Sequence, residues 1–430
     1  MKVDSERTVA KLWRSGRFSS FEDDTGNGIE VVYPGRESTR AGCDFQDVVI
    51  QVNGEKAVGD VEVHLMSDGW QKHGHHRDPA YNGIMLHVAM WQRGRLPVSL
   101  QDGRSIPTVI LHRYIPAEAL RSFRPGSRVK PCRNRRRYLR EGVLKDVLLE
   151  AGRQRFEQKA AKYAGMLGQE EPTQVLYQGI CRALGYSRNM GPFEELSSRL
   201  RLSFLYENAK GLHNKMGLLM GAAGLLQSQR SPDFPLDDEA SAMEEAWRCL
   251  GAAIPSPVVS GWRMAYIRPP NHPVRRLAGL GYLLQRYECA GLLNGLLSKI
   301  CEAEQKPSVL DVALMIEEVP YWSGHFDFGR RQSRPSALLG KSRAAEIAVN
   351  AVLPFAAAYA RQMKDRALES RAIHLFNEYH ALQRNELTGY MAEALCLDDG
   401  KGFSACLQQG LLHIYHGWCR VKDCRACPLS

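Results

Sequence analysis

Gly42-Cys43-Asp44-Phe45, Asp47-Val48-Val49-Ile50-Gln51-Val52, Asn53-Gly54-Glu55-Lys56 and Gly59-Asp60-Val61-Glu62-Val63-His64 decide how this chain begins to fold. Val61, Val63 and Leu65 alternate with Asp60, Glu62 and His64. An extended strand has period two, so the aliphatics take one face and the carboxylates and imidazole the other. The run from Asp47 to Val52 reads as the neighbouring strand, and Asn53-Gly54 has the turn chemistry to bring the chain back beside it. Asp44 enters this hairpin near the end where Glu62 and His64 lie. One face packs; the other is suited to a cation.

Working outward, Val9, Leu12 and Trp13 stand at helical spacing within Glu6 to Gly16, with Asp4 or Ser5 to cap the helix. Glu6 then either faces the site or simply favours the helix dipole. Ile29 to Tyr33 is a strand closed by Pro34-Gly35. Leu65 to Asn82 is a polar, histidine-rich connection, and loops of that kind on a rigid sheet often carry function. His73, His75, His76, Asp78 and Tyr81 are the candidates there to support ligands, contact phosphate or shuttle protons, against the plainer reading of a solvated loop. Ile84 to Met90 is nearly apolar and so central in the sheet, with His87 a core or rim residue; Val109 to Tyr114 adds a last strand. Residues 1–118 thus form a compact α/β domain.

An Asp on one strand and a Glu two residues before a basic residue on the next resembles the core of the PD-(D/E)XK nuclease superfamily. The resemblance covers the first quarter of the chain. It implies a restriction-endonuclease-like mixed sheet, with magnesium or manganese held by Asp44 and Glu62 and His64 orienting or deprotonating the attacking water. Cys43 occupies the Pro position of that motif and His64 the Lys position; a neutral imidazole accepts a proton or binds a metal but lacks the fixed charge of Lys. Asp60, on the same strand face, and Glu6 are candidate supporting carboxylates. The string Gly59 to His64 with His73-Gly74-His75-His76-Arg77-Asp78-Pro79-Ala80-Tyr81-Asn82 is also similar to an uncharacterised bacterial domain of unknown function. That similarity continues at Tyr186, Arg268-Pro269-Pro270-Asn271, Asn350 to Phe355 and the terminal cysteines, and it implies no activity.

Residues 119–141 are a basic linker. Arg121, Arg124, Arg128, Lys130, Arg133, Arg135, Arg136, Arg137 and Arg140 fall there with no acid among them from Arg121 to Arg140. Charges so dense repel one another unless an anion neutralises them, and phosphate backbone binding or a solvated linker both follow. Phe123 and Tyr138 offer rings to stack on bases or to anchor the segment.

From 142 to 418 the rhythm is helical, with stripes such as Val175, Leu176, Ile180 and Leu184 or Leu277, Leu280, Leu283 and Leu284. Arg268 to Pro273 breaks the pattern, since adjacent prolines cannot continue a helix. Arg275 and Arg276 just beyond it either contact phosphate or pair with acids. Tyr321 to Arg331 reads as a loop with its own aromatic anchors, either a platform for bases or rings packed inward. Ala344 to Leu353 reads as a core helix ended by Pro354.

Residues 419–430 are a cysteine loop. Cys419, Cys424 and Cys427 lie within nine residues beside Arg420, Lys422 and Arg425, and neighbouring positive charge favours thiolates. The loop resembles those of iron–sulfur DNA-repair and helicase-associated nucleases, which implies a 4Fe–4S cluster or, with His416 as fourth ligand, zinc. Cys406 is a poor fourth ligand, because thirteen helical residues place it about 20 Å from Cys419. A ligand from a distant loop is the other choice.

With 430 residues, 44% apolar and 24% charged, the chain is long enough for two or three domains, and no run approaches a membrane span. A cytoplasmic location is expected from the start Met1-Lys2-Val3-Asp4, which has no apolar signal core, and eleven scattered cysteines argue for free thiols. The formal charge of +10 favours an anionic partner such as nucleic acid, against the plainer reading of mere solubility. The leading expectation is a metal-dependent nuclease. The alternatives are a non-catalytic nucleic-acid-binding or scaffold protein, and a histidine-carboxylate metallohydrolase of a small substrate that uses His64, His73, His75 and His76.

Overall fold

The computed structural model describes residues 3–38, 42–122, 129, 131–134, 143–231, 235–254, 259, 261–264, 267–303, 306–397 and 403–430. The chain forms two compact units, one of Met1–Leu144, Glu386–Asp399 and Ile414–Ser430, the other of Lys145–Asn385 and Gly400–His413. The basic positions Arg124, Arg128, Lys130, Arg135, Arg136, Arg137 and Arg140, and the side chain of Arg121, lie outside the described residues; Arg133 is exposed. No helix among the described residues is long and apolar enough to cross a membrane.

The first unit starts with α1 (Glu6–Ser15), capped by Gly16 in the left-handed conformation. Then come β1 (Ser20–Glu22), β2 (Gly28–Tyr33), β3 (Arg36–Glu37), β4 (Phe45–Val52), β5 (Glu55–Met66), the short α2 (Gly69–Lys72), β6 (Ile84–Trp91), β7 (Val98–Ser99), β8 (Ser105–Ile106), β9 (Thr108–Ile110) and α3 (Ala117–Ser122). The main sheet is mixed, in the order β1-β2-β4-β5-β6-β9, with β3 on β4. Strands β2, β4 and β5 are antiparallel; β6 lies parallel to β5 and β9 parallel to β6. A bridge from Asp23 to Val109 joins the two edges, so the sheet is nearly closed into a barrel. The β4–β5 turn has Asn53 and Gly54 both at positive φ, 50° and 89°, the primed geometry that matches strand twist.

Val61 and Val63 pack with Val9, Leu12 and Trp13 of α1 in the core on one face of β5. The other face is also covered. Trp70, fully buried, joins Cys43, Ile84, Val98, Leu100 and Ile106 in a second layer, so Glu62 and His64 are enclosed at 6% and 1% exposure. The segments Glu386–Asp399 and Ile414–Ser430 complete this unit through Arg36 to Glu386 at 3.0 Å, the Tyr33 and Tyr390 hydroxyls at 2.6 Å, and Lys422 over the Tyr33 ring at 3.4 Å.

The second unit is mostly helical. It contains α4 (Leu144–Leu167), α5 (Pro172–Leu184) and α6 (Tyr186–Arg199), followed by further helices that include Leu212–Ala222, Asp238–Leu250 and Pro273–Arg286. Pro354 does not end its helix: Lys341–Ile347 runs through a π turn at Ala348–Val352 into Leu353–Met363. The widened turn accommodates a residue with no N–H to donate. Between Tyr321 and Arg331 the rings pack inward, with Trp322 and Phe328 buried and Asp327 paired to Arg230 at 2.7 Å. Arg275 donates to the carbonyls of His325, Ser336 and Ala337, and Arg276 to Asn271 Oδ1 at 2.6 Å.

Candidate metal centre

The register of β4 on β5 brings the acids together. Phe45 stands opposite Val61, which places Asp44 across from Glu62. The register then shifts before Val48, and Asp47 at φ 54° marks the bulge. A bulge re-aims side chains locally, and the two carboxylates are fixed reciprocally. The Asp44 N–H donates to Glu62 Oε2 at 3.0 Å, and the Val63 N–H donates to Asp44 Oδ2 at 3.0 Å. Each carboxylate therefore has one oxygen anchored to backbone, and Glu62 Oε1 lies 3.3 Å from His75 Nε2.

Burial, the nearby Glu62 charge and that of Glu6 push Asp44 up to about 7. Burial and Glu6 push Glu62 up to about 8. The exposed Glu6 contributes its charge to Asp44, Glu62 and His75 alike. Neither Lys nor Arg is among the largest influences on either acid. Crowded, dehydrated carboxylates with only an imidazole beside them take up either protons or a cation.

A set of imidazoles adjoins them. Period two puts His64 on the Glu62 face, and the ligand atoms of His64, His73 and His75 all lie within 4.8 Å of one another. His64 Nε2 is 3.2 Å from His73 Nδ1; His64 Nδ1 is 3.0 Å from His87 Nε2; His87 Nδ1 is 3.2 Å from the Thr108 hydroxyl. Burial and the neighbouring histidines push His64 far below the ordinary imidazole range, and burial pushes His87 down to about 3, so both rings are neutral. His75 lies against Tyr81 with ring centroids 3.9 Å apart and the planes tilted by 32°, and burial lowers it against the pull of Asp44, Asp78 and Glu6. Gly69 is required here: a Cβ on it would stand 2.5 Å from His64 Cδ2.

These donors fit a divalent transition metal. Two nitrogens at about 2.05 Å from a tetrahedral ion are about 3.3 Å apart, close to the His64–His73 separation of 3.2 Å. Ligating histidines usually hold their second nitrogen in a hydrogen bond, and His64 does so through His87 to Thr108. The buried His75 Nε2 lacks a hydrogen-bond partner of good geometry, its contact with Glu62 notwithstanding, and such an orphaned atom suits a ligand position.

The remaining candidates lie differently. Asp60 accepts the Asp47 N–H at 3.2 Å and the Cys43 thiol, and so supports the bulge. Asp78 caps the turn at Ala80 N, 2.8 Å away. His76 is outside the close histidine set. His416 is exposed, edge-on to Tyr415. His87 is the hydrogen-bonded core residue expected of it, whereas Thr108 was not singled out, its only signal being a polar residue at the start of the last strand.

Comparison with known families matches residues 6–385 to the model described as protein of unknown function, DUF2851. The chain belongs to the DUF2851 family. No curated protein and no solved structure matches it.

Proposed function

We propose that this DUF2851 chain is a divalent-metal-dependent hydrolase of phosphodiester bonds in DNA or RNA. The observation that carries this reading is the meeting of Asp44 and Glu62, each locked by a backbone N–H, with Glu62 Oε1 beside His75 Nε2. The net charge of +10 and the arginine-rich stretch from Arg121 to Arg140 favour a polyanionic substrate. A bound divalent ion would polarise the phosphoryl group and acidify water. Asp44, Glu62 and the histidines would hold it; mixed imidazole and carboxylate donors suit manganese, iron or zinc better than magnesium. His64 is enclosed and its Nδ1 is held by His87, which is held in turn by Thr108, so this row would fix the His64 tautomer with Nε2 toward the ion beside His73 and His75.

The test uses protein stripped with chelator and assayed on single- and double-stranded DNA and RNA with magnesium, manganese or zinc. Cleavage should need the metal and fall by roughly a hundred-fold or more in Asp44→Asn and Glu62→Gln. Full activity in both variants refutes the assignment. Salt-dependent binding without cleavage in any metal identifies the non-catalytic scaffold instead. The close set of three histidines favours a second reading, a metallohydrolase of a small substrate; stoichiometric zinc or iron with no action on any nucleic acid would select it.

A further inference from the structure

Four cysteines of the first unit gather in one place, with the exposed Cys396 at their edge beside Cys132. Cys419, Cys424 and Cys427 lie on the C-terminal segment, which Asp47 fixes by accepting from Tyr415 Oη and Arg420 Nε, both at 2.6 Å. Cys132 arrives from the arginine-rich stretch. Its N–H donates to Ala394 O at 2.7 Å, and Asn134 Nδ2 donates to Cys424 O at 3.2 Å. The thiol of Cys419 feels the charges of Cys427, Cys132 and Cys424, and that of Cys427 feels Cys132 and Cys424. All four are free thiols.

Spacing distinguishes the groups they would hold. Four thiolates at 2.3 Å from one tetrahedral zinc stand about 3.8 Å apart. Among the described residues no three of these sulfurs lie within 4.8 Å of one another. Thiolates that each bind a different iron of a cluster stand further apart. We propose that Cys132, Cys419, Cys424 and Cys427 are the four ligands of a 4Fe–4S cluster that ties the arginine-rich stretch to the C-terminal segment. Each thiol releases its proton to solvent on binding one iron; burial and the neighbouring thiols hold that of Cys419 up, at about 12, until iron binds. The assignment is independent of hydrolysis.

The full chain, purified anaerobically, should carry about four iron and four sulfide per molecule with broad visible absorption. Cys132→Ser should lose the absorption, and His416→Ala and Cys289→Ser should keep it. If Cys132→Ser does not fold, thiol alkylation of the parent decides: Cys132 should be protected with the three terminal cysteines while exposed Cys249 and Cys289 react. Zinc in place of iron, a cluster retained in Cys132→Ser, or Cys132 reacting as fast as Cys289 overturns the proposal.

A separate observation carries a second inference, in the helical unit. A cavity of about 760 Å³ is lined by α4, α5, α6 and the π turn. Its three carboxylates are already paired: Glu194 with Arg182, Glu346 with Arg343, and Glu195 with Arg199. Arg155 and Lys159, one turn apart on α4, are not. Both donate to Gln409 Oε1, at 2.9 and 2.7 Å, and Lys159 Nζ also reaches Asn350 Oδ1 at 2.6 Å. No carboxylate among the described residues pairs with either. Burial and the neighbouring Arg155 hold Lys159 well below the ordinary lysine range.

Two adjacent basic groups sharing neutral acceptors in a cavity carry their charges only at a cost unless an anion is present. The backbone is unusual at the same walls: Tyr186 sits at φ 53° beneath the Arg343 guanidinium, 4.9 Å from its ring, and Asn350 lies in the π turn. Departures of these kinds gather at functional sites. We infer that this cavity binds a small phosphomonoester, its dianionic phosphate between Arg155 and Lys159 and its organic part against Tyr163, Met166 and Met190.

Inorganic phosphate, titrated at constant ionic strength, should raise the thermal midpoint of the full chain saturably. Lys159→Met and Arg155→Met should raise the half-saturating concentration by roughly ten-fold or more, and Lys159→Arg should largely restore it. Acetate at equal strength should do less; an equal response to acetate makes the ligand a carboxylate and overturns the phosphate assignment. No saturable response in the parent, or the same response in both Met variants, overturns the site. If a Met variant does not fold, phosphorus NMR of the parent decides, with an unbroadened phosphate signal counting against binding.

Discussion

Replacing Glu62 by Gln removes a charge that the metal-free fold holds at a cost. The carboxyl lies at about 8 in the folded chain against an ordinary 4.5, because it is buried beside Glu6. Between those values the folded state keeps a proton that the unfolded state has released. The stabilisation is fully present below the unfolded value and is lost as pH rises through the folded one, at about 1.4 kcal/mol per unit. From pH 6 to pH 8 Glu62 alone therefore removes about 2–3 kcal/mol. Asp44, pushed up to about 7 by burial and Glu62, adds to the slope below pH 7. Gln keeps an oxygen for the Asp44 N–H and does not titrate. Denaturant unfolding in chelator at pH 6, 7 and 8 should show the parent losing about 2–3 kcal/mol more than Glu62→Gln, with the variant the more stable at pH 8. Manganese should reverse that order by stabilising only the parent. Parallel pH profiles, or a parent that gains stability toward pH 8 without metal, refute the reasoning.

Manganese should raise the parent's thermal midpoint more at pH 8.5 than at pH 6, since protons compete for the Asp44 and Glu62 oxygens, and Asp44→Asn should abolish the effect, as read by scanning calorimetry. Gly69→Ala places a methyl 2.5 Å from His64 Cδ2 and should cost about 1–3 kcal/mol by urea unfolding while weakening metal retention. Tyr415→Phe removes the hydroxyl donor to Asp47, leaving Arg36 at 3.5 Å and Arg420, and should cost about 1 kcal/mol in the same measurement. Neutralising Arg135, Arg136 and Arg137 together should flatten the salt dependence of nucleic-acid binding by up to about three phosphate contacts, measured by fluorescence anisotropy across a salt series.

The strand pattern around Glu62 was legible because period two and an Asn-Gly turn leave few arrangements, and the mixed sheet bears the hairpin out. The enclosure of the acid-bearing face was not legible. Trp70 lies in a segment that reads as polar connection, and only its burial against Ile84 and Val98 turns that segment into a second layer. The convergence of His64 with His73 was suggested by proximity in sequence, whereas the line through His87 to Thr108 depends on β6 and β9 running parallel to β5, which single-sequence periodicity does not encode. Pro354 misled because a proline rule for α-helices does not hold across a π turn. Cys132 gave no local signal at all: the cysteines it lies near, Cys396 and Cys424, belong to the other end of the chain.

The return of Glu386–Asp399 and Ile414–Ser430 to the first unit has a consequence for synthesis. During translation the sheet emerges early, yet Asp47 must wait for Tyr415 and Arg420, and Arg36 for Glu386. At about 5–20 residues per second a ribosome needs roughly 14–57 s to make residues 145–430. Over that interval the nascent sheet, with its unclosed acidic bulge, is exposed to holdase chaperones while the helical unit is made within its two halves.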